Sequence, residues 1–283
     1  MQYGLSLPNG GECADPRFLA ELAPLAEEAG WDGIFLEDYI CYQGSADAPT
    51  GDPWIALAAI ATCTQHVRLG TSVTPLSRRR PWKLAREAVT LDQLSNGRLI
   101  LGIGLGDSGE RSFTHFGEVI DAKQRAEMLD ECVDIIVGLW SGQPFSYKGK
   151  HYTIEEVTFT PMPVQSPRIP IWVGGGWPKK GPVQRAARWD GIVPYRVHSD
   201  TDESDLMPAD IHALKETIAA HRTITTPFDI AVGGRERRDD WEQERTHIKA
   251  LAEAGITWWT EWIAPADRAH MLAAIRRGPL RVE

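Results

Sequence analysis

The sequence predicts an α/β protein built as a closed (β/α)8 TIM barrel, with a small β-insertion between strands 4 and 5. Three observations carry this. Short, nearly continuous apolar runs alternate with helix-period segments eight times along 283 residues, as parallel strands do when helices cover both faces. The length suits one barrel of about 250 residues. The alternation is interrupted at Ser141 to Pro170, where three Pro-containing turns flank the alternating stretch HYTIEEVTF, a β-excursion by its period of two.

The elements follow in order. Tyr3–Pro8 is the first strand, ended by Pro-Asn-Gly-Gly. Its helix places Phe18, Leu22, Leu25 and Ala29 on one face, with Asp15 as N-cap, Pro16 at N1 and Gly30 as stop. Pro24 inside that pattern predicts a kink. Trp31–Asp38 is the second strand, and Asp52-Pro53 repeats the helix start. Val67–Val73 is the third strand, followed by a helix from Pro81 that stops at Asn96-Gly97. Arg98–Gly106 is the fourth strand, and the helix after it runs from Ala122 to Trp140. Beyond the insertion come strands at Arg168–Gly176, Asp190–Arg196, Phe228–Gly234 and Thr257–Ile263. Their helices begin near Gly181, Glu203, Trp241 and Asp267. No low-complexity segment or linker divides residues 1–283, so one domain is expected.

A net charge of −9 and a pI near 5.4 argue against general nucleic-acid binding. Four irregularly spaced cysteines without a CxxC pair read as reduced thiols in the cytoplasm. No signal peptide and no apolar run of 18 residues is visible, so no membrane partner is expected. The eight histidines, His198 among them, show no metal-ligand spacing, and no metal is expected. Eleven tryptophans are enough both to pack helices on strands and to rim a pocket for a flat ligand.

Barrel chemistry sits at the C-terminal strand ends. Those ends include Glu37-Asp38-Tyr39, Thr71–Thr74, Gly104–Asp107, Gly174–Trp177 and Glu261-Trp262. Gly102, Gly104 and Gly106 recur at period two. They form either a bare strand face that a large planar ring can approach or a glycine layer packed against large neighbours. Gly174, Gly175, Gly176 and Trp177 lead into a helix with Lys179, Lys180 and Arg185 nearby. That is either an ordinary turn or a phosphate cradle of backbone N–H groups. Arg78, Arg79 and Arg80 precede Pro81 at the same end of the barrel. In an acidic chain they form either an anion-recognition patch or a solvated rim with an arginine paired to an acidic neighbour.

The blocks RLGTSVTPLSRRRPWKLAREAVTLDQLSNGRLILGIGLGD, FGEVIDAKQRAEMLDECVDIIVGLWSGQPFSYKGKHY and PVQSPRIPIWVGGGWPKKGPVQRAARWDG, in this order and spacing, resemble the bacterial luciferase-like superfamily of flavin-dependent monooxygenases and F420-dependent oxidoreductases. The resemblance runs from Met1 to about Tyr195 and fades after Arg196. It implies a barrel with FMN or F420 over the strand C-termini, a small organic substrate and, often, a homodimer. It also implies a non-prolyl cis peptide at Ser72-Val73 beneath the ring and a cofactor phosphate at Gly174–Gly176. The cofactor-binding residues expected on this basis are Ser72, Val73, Arg78, Arg79, Arg80, Gly104, Gly106, Gly174, Gly175, Gly176 and Trp177.

Many relatives read Asp-His where this chain has Asp38-Tyr39, so a phenol titrating near pH ~10 replaces an imidazole. Asp107 lies where some F420-dependent relatives carry a catalytic glutamate. Asp38, Tyr39 and Asp107 are therefore the catalytic candidates, with helix capping or ion pairing as the alternative for the two aspartates. The expected activity is a luciferase-like oxidoreductase, oxygenating with FMN or transferring hydride with F420. The alternative is a non-catalytic flavin-binding or deazaflavin-binding barrel.

Overall fold

The computed structural model describes residues 1–42, 47–197 and 205–282. Eight parallel strands close into a ring: β1 (Gln2–Leu7), β2 (Gly33–Leu36), β3 (Arg68–Thr71), β5 (Leu99–Gly104), β8 (Ile171–Trp177), β9 (Gly191–Arg196), β10 (Asp229–Arg235) and β11 (Trp258–Trp262). Closure is made where Leu69 and Gly70 of β3 pair with Leu99 and Ile100 of β5. The two-residue β4 (Thr74–Pro75) lies outside the ring against Ile103 and Gly104. The expected third strand therefore divides: β3 ends at Thr71, a cis peptide joins Ser72 to Val73, and the chain resumes at β4. The insertion is an antiparallel hairpin, β6 (Pro144–Lys148) with β7 (Thr153–Thr158).

The main helices are α1 (Pro16–Glu28), α2 (Pro53–Cys63), α3 (Pro81–Leu94), α5 (Ala122–Trp140), α6 (Lys180–Ala186), α7 (Pro208–His221), α8 (Trp241–Ala254) and α9 (Arg268–Arg276). A short α4 (Arg111–Thr114), not anticipated from sequence, follows β5. The Asp-Pro starts work as read. Asp15 accepts from Arg17 N and Asp52 from Ile55 N, each at 2.9 Å, with proline at N1. Asn96 (φ 53°) and Gly97 (φ 78°) then end α3 in the left-handed region. The expected beginning of α7 near Glu203, and His198, lie outside the described residues.

Inside the ring, Phe35, Trp172 and Trp258 meet with ring centroids 5.3 to 5.6 Å apart, packed with Ile100 and Ala231. A methyl group at Gly191 would stand 2.5 Å from Trp172, and one at Gly33 2.9 Å from Trp258, so these strand glycines make room for the indoles. The aromatic plug fills the barrel below the C-terminal mouth. Two of the tryptophans thus fill the barrel, and Trp262 is the one that lines the cavity above it among the described residues. No helix among the described residues is long and apolar enough to cross a membrane.

Candidate functional site

At the mouth lies a cavity of about 670 Å3, within the range of small-molecule sites. Its base is the Ser72-Val73 bulge. A methyl group at Gly102 would stand 1.9 Å from Thr71 O, one at Gly104 2.5 Å from Val73 Cγ2, and one at Gly174 2.9 Å from Val73 Cγ1. The glycine face of β5 is thus filled by the bulge, which in turn presents itself to the cavity. Gly106 stands beyond the strand at φ +70°, with Phe113 and Pro75 against it.

The bulge is bracketed by Thr71 and Thr74, whose hydroxyls are 2.9 Å apart. Thr71 donates to Gly102 O (3.1 Å) and Thr74 to Asp38 Oδ2 (2.8 Å). Asp38 is buried and also receives Arg78 Nη2 at 2.9 Å and Arg79 Nη2 at 2.8 Å. Arg78 Nη2 bonds the Asp38 carbonyl as well, and the guanidinium lies over Phe113. Arg80 is exposed and lies over Trp82. The structure therefore turns Arg78 and Arg79 onto Asp38. None of the three arginines is among the described residues lining the cavity. Trp177 is not among them either; its Nε1 donates to Asp210 Oδ1 at 3.0 Å.

The other residues singled out from sequence do converge. Asp38, Tyr39, Ser72, Val73, Gly104, Gly106, Asp107, Gly174, Gly175 and Gly176 line one cavity. The glycine triplet is not a free turn. It continues β8 and pairs with Val193, Pro194 and Tyr195 of β9. Pairing with β5 stops at Val173, so its other edge faces the cavity. Lys179 and Arg185 stand along that wall, while Arg125 enters the lining beside the end of β5. Arg185 grips Asp130 through Nε (2.6 Å) and Nη2 (3.0 Å). Arg125 is buried and donates to the carbonyls of Leu105 and Gly106.

The lining past the ends of β2 and β5 is acidic, and it holds two groups that sequence reading passed over. Glu37 follows the last residue of β2, two positions after Phe35 on the inward face, and lines the cavity. Burial, reinforced by Glu110, pushes its carboxyl up to about 7. Glu110 is likewise pushed up to about 7 by burial and by Asp107, against the pull of Arg78 and Arg125. Burial, with added repulsion from Glu37 and Glu110, pushes the Tyr39 phenol far above its ordinary range, so Tyr39 is a fixed donor. Glu37 was visible as a carboxylate at a strand end. The signal available was its parity with Phe35, which aims it inward, while the Asp38 carboxylate, although it lines the same cavity, is taken up by its arginine clamp.

Among the described residues, Glu37 Oε2, Arg125 Nε and Trp262 Nε1 are buried without a hydrogen-bond partner, and all three residues line the cavity. Such polar atoms are costly to leave unmet. Together with a bulge packed into glycine gaps, they fit a cavity built for a polar, planar ligand. No group of three or more metal-ligating side chains gathers among the described residues.

The family described as luciferase-like monooxygenase matches residues 1–275, well past Arg196, where the motif resemblance fades. An F420-dependent glucose-6-phosphate dehydrogenase of Microbacterium testaceum (strain StLB037) is 34% identical over 166 residues, covering 58% of this chain and 48% of its own. The protein of the same name from Amycolatopsis mediterranei (strain U-32) is 33% identical over 263 residues, 92% of this chain and 74% of its own. The chain spans about half the length of several curated relatives it matches. An F420-dependent secondary alcohol dehydrogenase in complex with an F420-acetone adduct shares the fold, with TM-score 0.77, 18% identity and 97% of both chains covered.

Proposed function

The chain belongs to the luciferase-like monooxygenase family, and from that premise we propose that it is an oxidoreductase holding F420 or FMN over the Ser72-Val73 bulge and acting on a small organic substrate. The observation that carries the reading is the bulge itself: Val73 is wedged between Gly104 and Gly174 at the base of a cavity lined by Lys179 and Arg185 past β8 and by Glu37, Asp107 and Glu110 past β2 and β5.

The division of labour follows from that lining. When bound, the cofactor supplies the two-electron chemistry. Val73 backs the ring from below. The open edge of Gly174–Gly176, with Lys179 and Arg185, receives the anionic end. The acidic wall, Glu37, Asp107 and Glu110 with Tyr39, faces the substrate and handles protons. Asp38 holds this wall in place by tying the end of β2 to Arg78, Arg79 and Thr74. The relatives named above favour F420, and with it hydride transfer. We also read the protein as a cytoplasmic homodimer, in keeping with four unpaired cysteines; light scattering in solution checks its mass.

The test is anaerobic titration of the protein with F420 and with FMN, followed by absorbance and fluorescence. One of them should bind with a micromolar or lower Kd. Oxygen consumption on turnover then separates oxygenation from hydride transfer. A protein that binds neither is not the enzyme proposed.

A further inference from the structure

The acidic wall raises a question the proposed chemistry leaves open: which group exchanges the proton with the substrate. Tyr39 is kept protonated by its surroundings. Asp38 is committed to two guanidinium groups and the Thr74 hydroxyl. Glu37 differs from both. The pairing of Leu36 with Thr71 carries it opposite Ser72, at the edge of the cis bulge. Its backbone is held by a bond from its N–H to Leu7 O (3.0 Å). Its Oε2 is buried, without a partner among the described residues, in a side chain that lines the cavity.

We propose that Glu37 is the residue that exchanges the proton with the substrate oxygen. This rests on the oxidoreductase reading above. In the direction of oxidation a substrate O–H bond breaks, an O–H bond forms on the Glu37 carboxylate, and the proton then leaves to solvent. In the direction of reduction the neutral acid gives its proton to the carbonyl oxygen. The two electrons and the carbon-bound hydrogen are the cofactor's share. The groups facing Glu37 are Glu110, Cys13, Tyr39 and Tyr42, with Asp107 acting through Glu110. All are acids, and none is a cation that would hold Glu37 ionised. Its proton therefore comes and goes near neutral pH, where general catalysis by a carboxyl is efficient.

Three measurements on the full chain test this, with wild type, Glu37→Gln and Glu37→Asp. The first is 13C-carboxyl NMR titration of the ligand-free protein. A resonance absent from Glu37→Gln should inflect near pH 7. The second is F420 and FMN affinity, which should change less than about threefold in Glu37→Gln. The third is the pH profile of turnover with 2-propanol, glucose and glucose 6-phosphate. Glu37→Gln should lose about 10²–10⁴-fold in rate, together with the limb near pH 7, and Glu37→Asp should restore part of the rate with a shifted limb. An inflection at the ordinary value near 4.5, an unchanged profile in Glu37→Gln, or no turnover of any of the three by a wild type that binds cofactor would overturn the assignment alone. A wild type that binds neither F420 nor FMN would overturn the parent reading and this one with it.

Discussion

The carboxylate of Asp38 sits between two guanidinium groups, with Arg78 Nη2 2.9 Å from Oδ1 and Arg79 Nη2 2.8 Å from Oδ2. Both the Asp38 and Arg78 side chains are almost wholly buried, at 2% and 1% exposure, whereas Arg79 keeps 20%. Removing one member of a buried pair leaves the other charged and unpaired, at about 3–5 kcal/mol. Asp38→Ala should therefore lower unfolding stability by that order in a denaturant titration. Arg80→Ala, at an exposed site over Trp82, should change it by less than about 0.5 kcal/mol. A loss below about 1 kcal/mol for Asp38→Ala would refute the clamp.

Glu37 gives the stability a pH dependence. Its folded-state value near 7 lies above the ordinary 4.5, so the folded protein binds more protons between those values than the unfolded chain does. Stability is then lost as pH rises from about 4.5 to about 7, and stays lost above. The shift corresponds to an upper bound of about 3 kcal/mol. Glu37→Gln should stabilise the protein at pH 8 and leave it nearly unchanged at pH 4. Equal effects at the two pH values would remove the argument for a raised carboxyl.

The bulge offers a packing test. A methyl group at Gly104 meets Val73 Cγ2 at 2.5 Å but Val73 Cβ only at 3.5 Å. Gly104→Ala alone should cost about 1–3 kcal/mol by overpacking. Val73→Ala removes the clashing methyl, so the double variant should recover part of that loss, giving a coupling of about 0.5–3 kcal/mol. Additive losses would mean that Val73 and Gly104 do not share the space.

How far these relationships were legible differs by kind. The eight-fold alternation and the Asp-Pro starts are local signals, and they place the strands that surround the cavity to within a few residues. The convergence of Ser72, Val73, Gly104, Asp107 and Gly174 follows from the barrel rule that strand C-termini meet. Partner choice is not local. Nothing in the run Arg78–Arg80 says that two of its members turn inward to a carboxylate 40 and 41 residues earlier. Nor does Gly102-Ile103-Gly104 say that its bare face receives a bulge from the neighbouring strand. Glu37 and Asp38 are adjacent carboxylates whose roles are separated by strand parity alone, which a boundary error of one residue inverts.

The anion end of the cofactor provides the last test, and the geometry decides which residues to alter. Gly175→Asp is ambiguous, because a Cβ there meets Pro182 Cβ at 2.1 Å and perturbs packing as well as charge. Replacing all three arginines is ambiguous too, since it strips Asp38 of both guanidinium partners and leaves only the Thr74 hydroxyl. Lys179 is exposed at the cap of α6 and lines the cavity, so Lys179→Ala changes charge with little structural cost. Arg185 is shared with Asp130, so Arg185→Lys keeps the charge and breaks the bidentate grip. If this wall receives a phosphate or carboxylate, Lys179→Ala should weaken F420 or FMN binding by up to about tenfold at low salt, consistent with a charge-assisted contact at a partly solvated site. The deficit should shrink at high salt as screening removes the same contribution from the wild type. Arg80→Ala, under the same titration, should leave both affinity and its salt dependence at wild-type values. If Arg80→Ala weakens binding and Lys179→Ala does not, the arginine run is the anion site after all, and the cofactor's charged end leaves the cavity over α3 instead of α6.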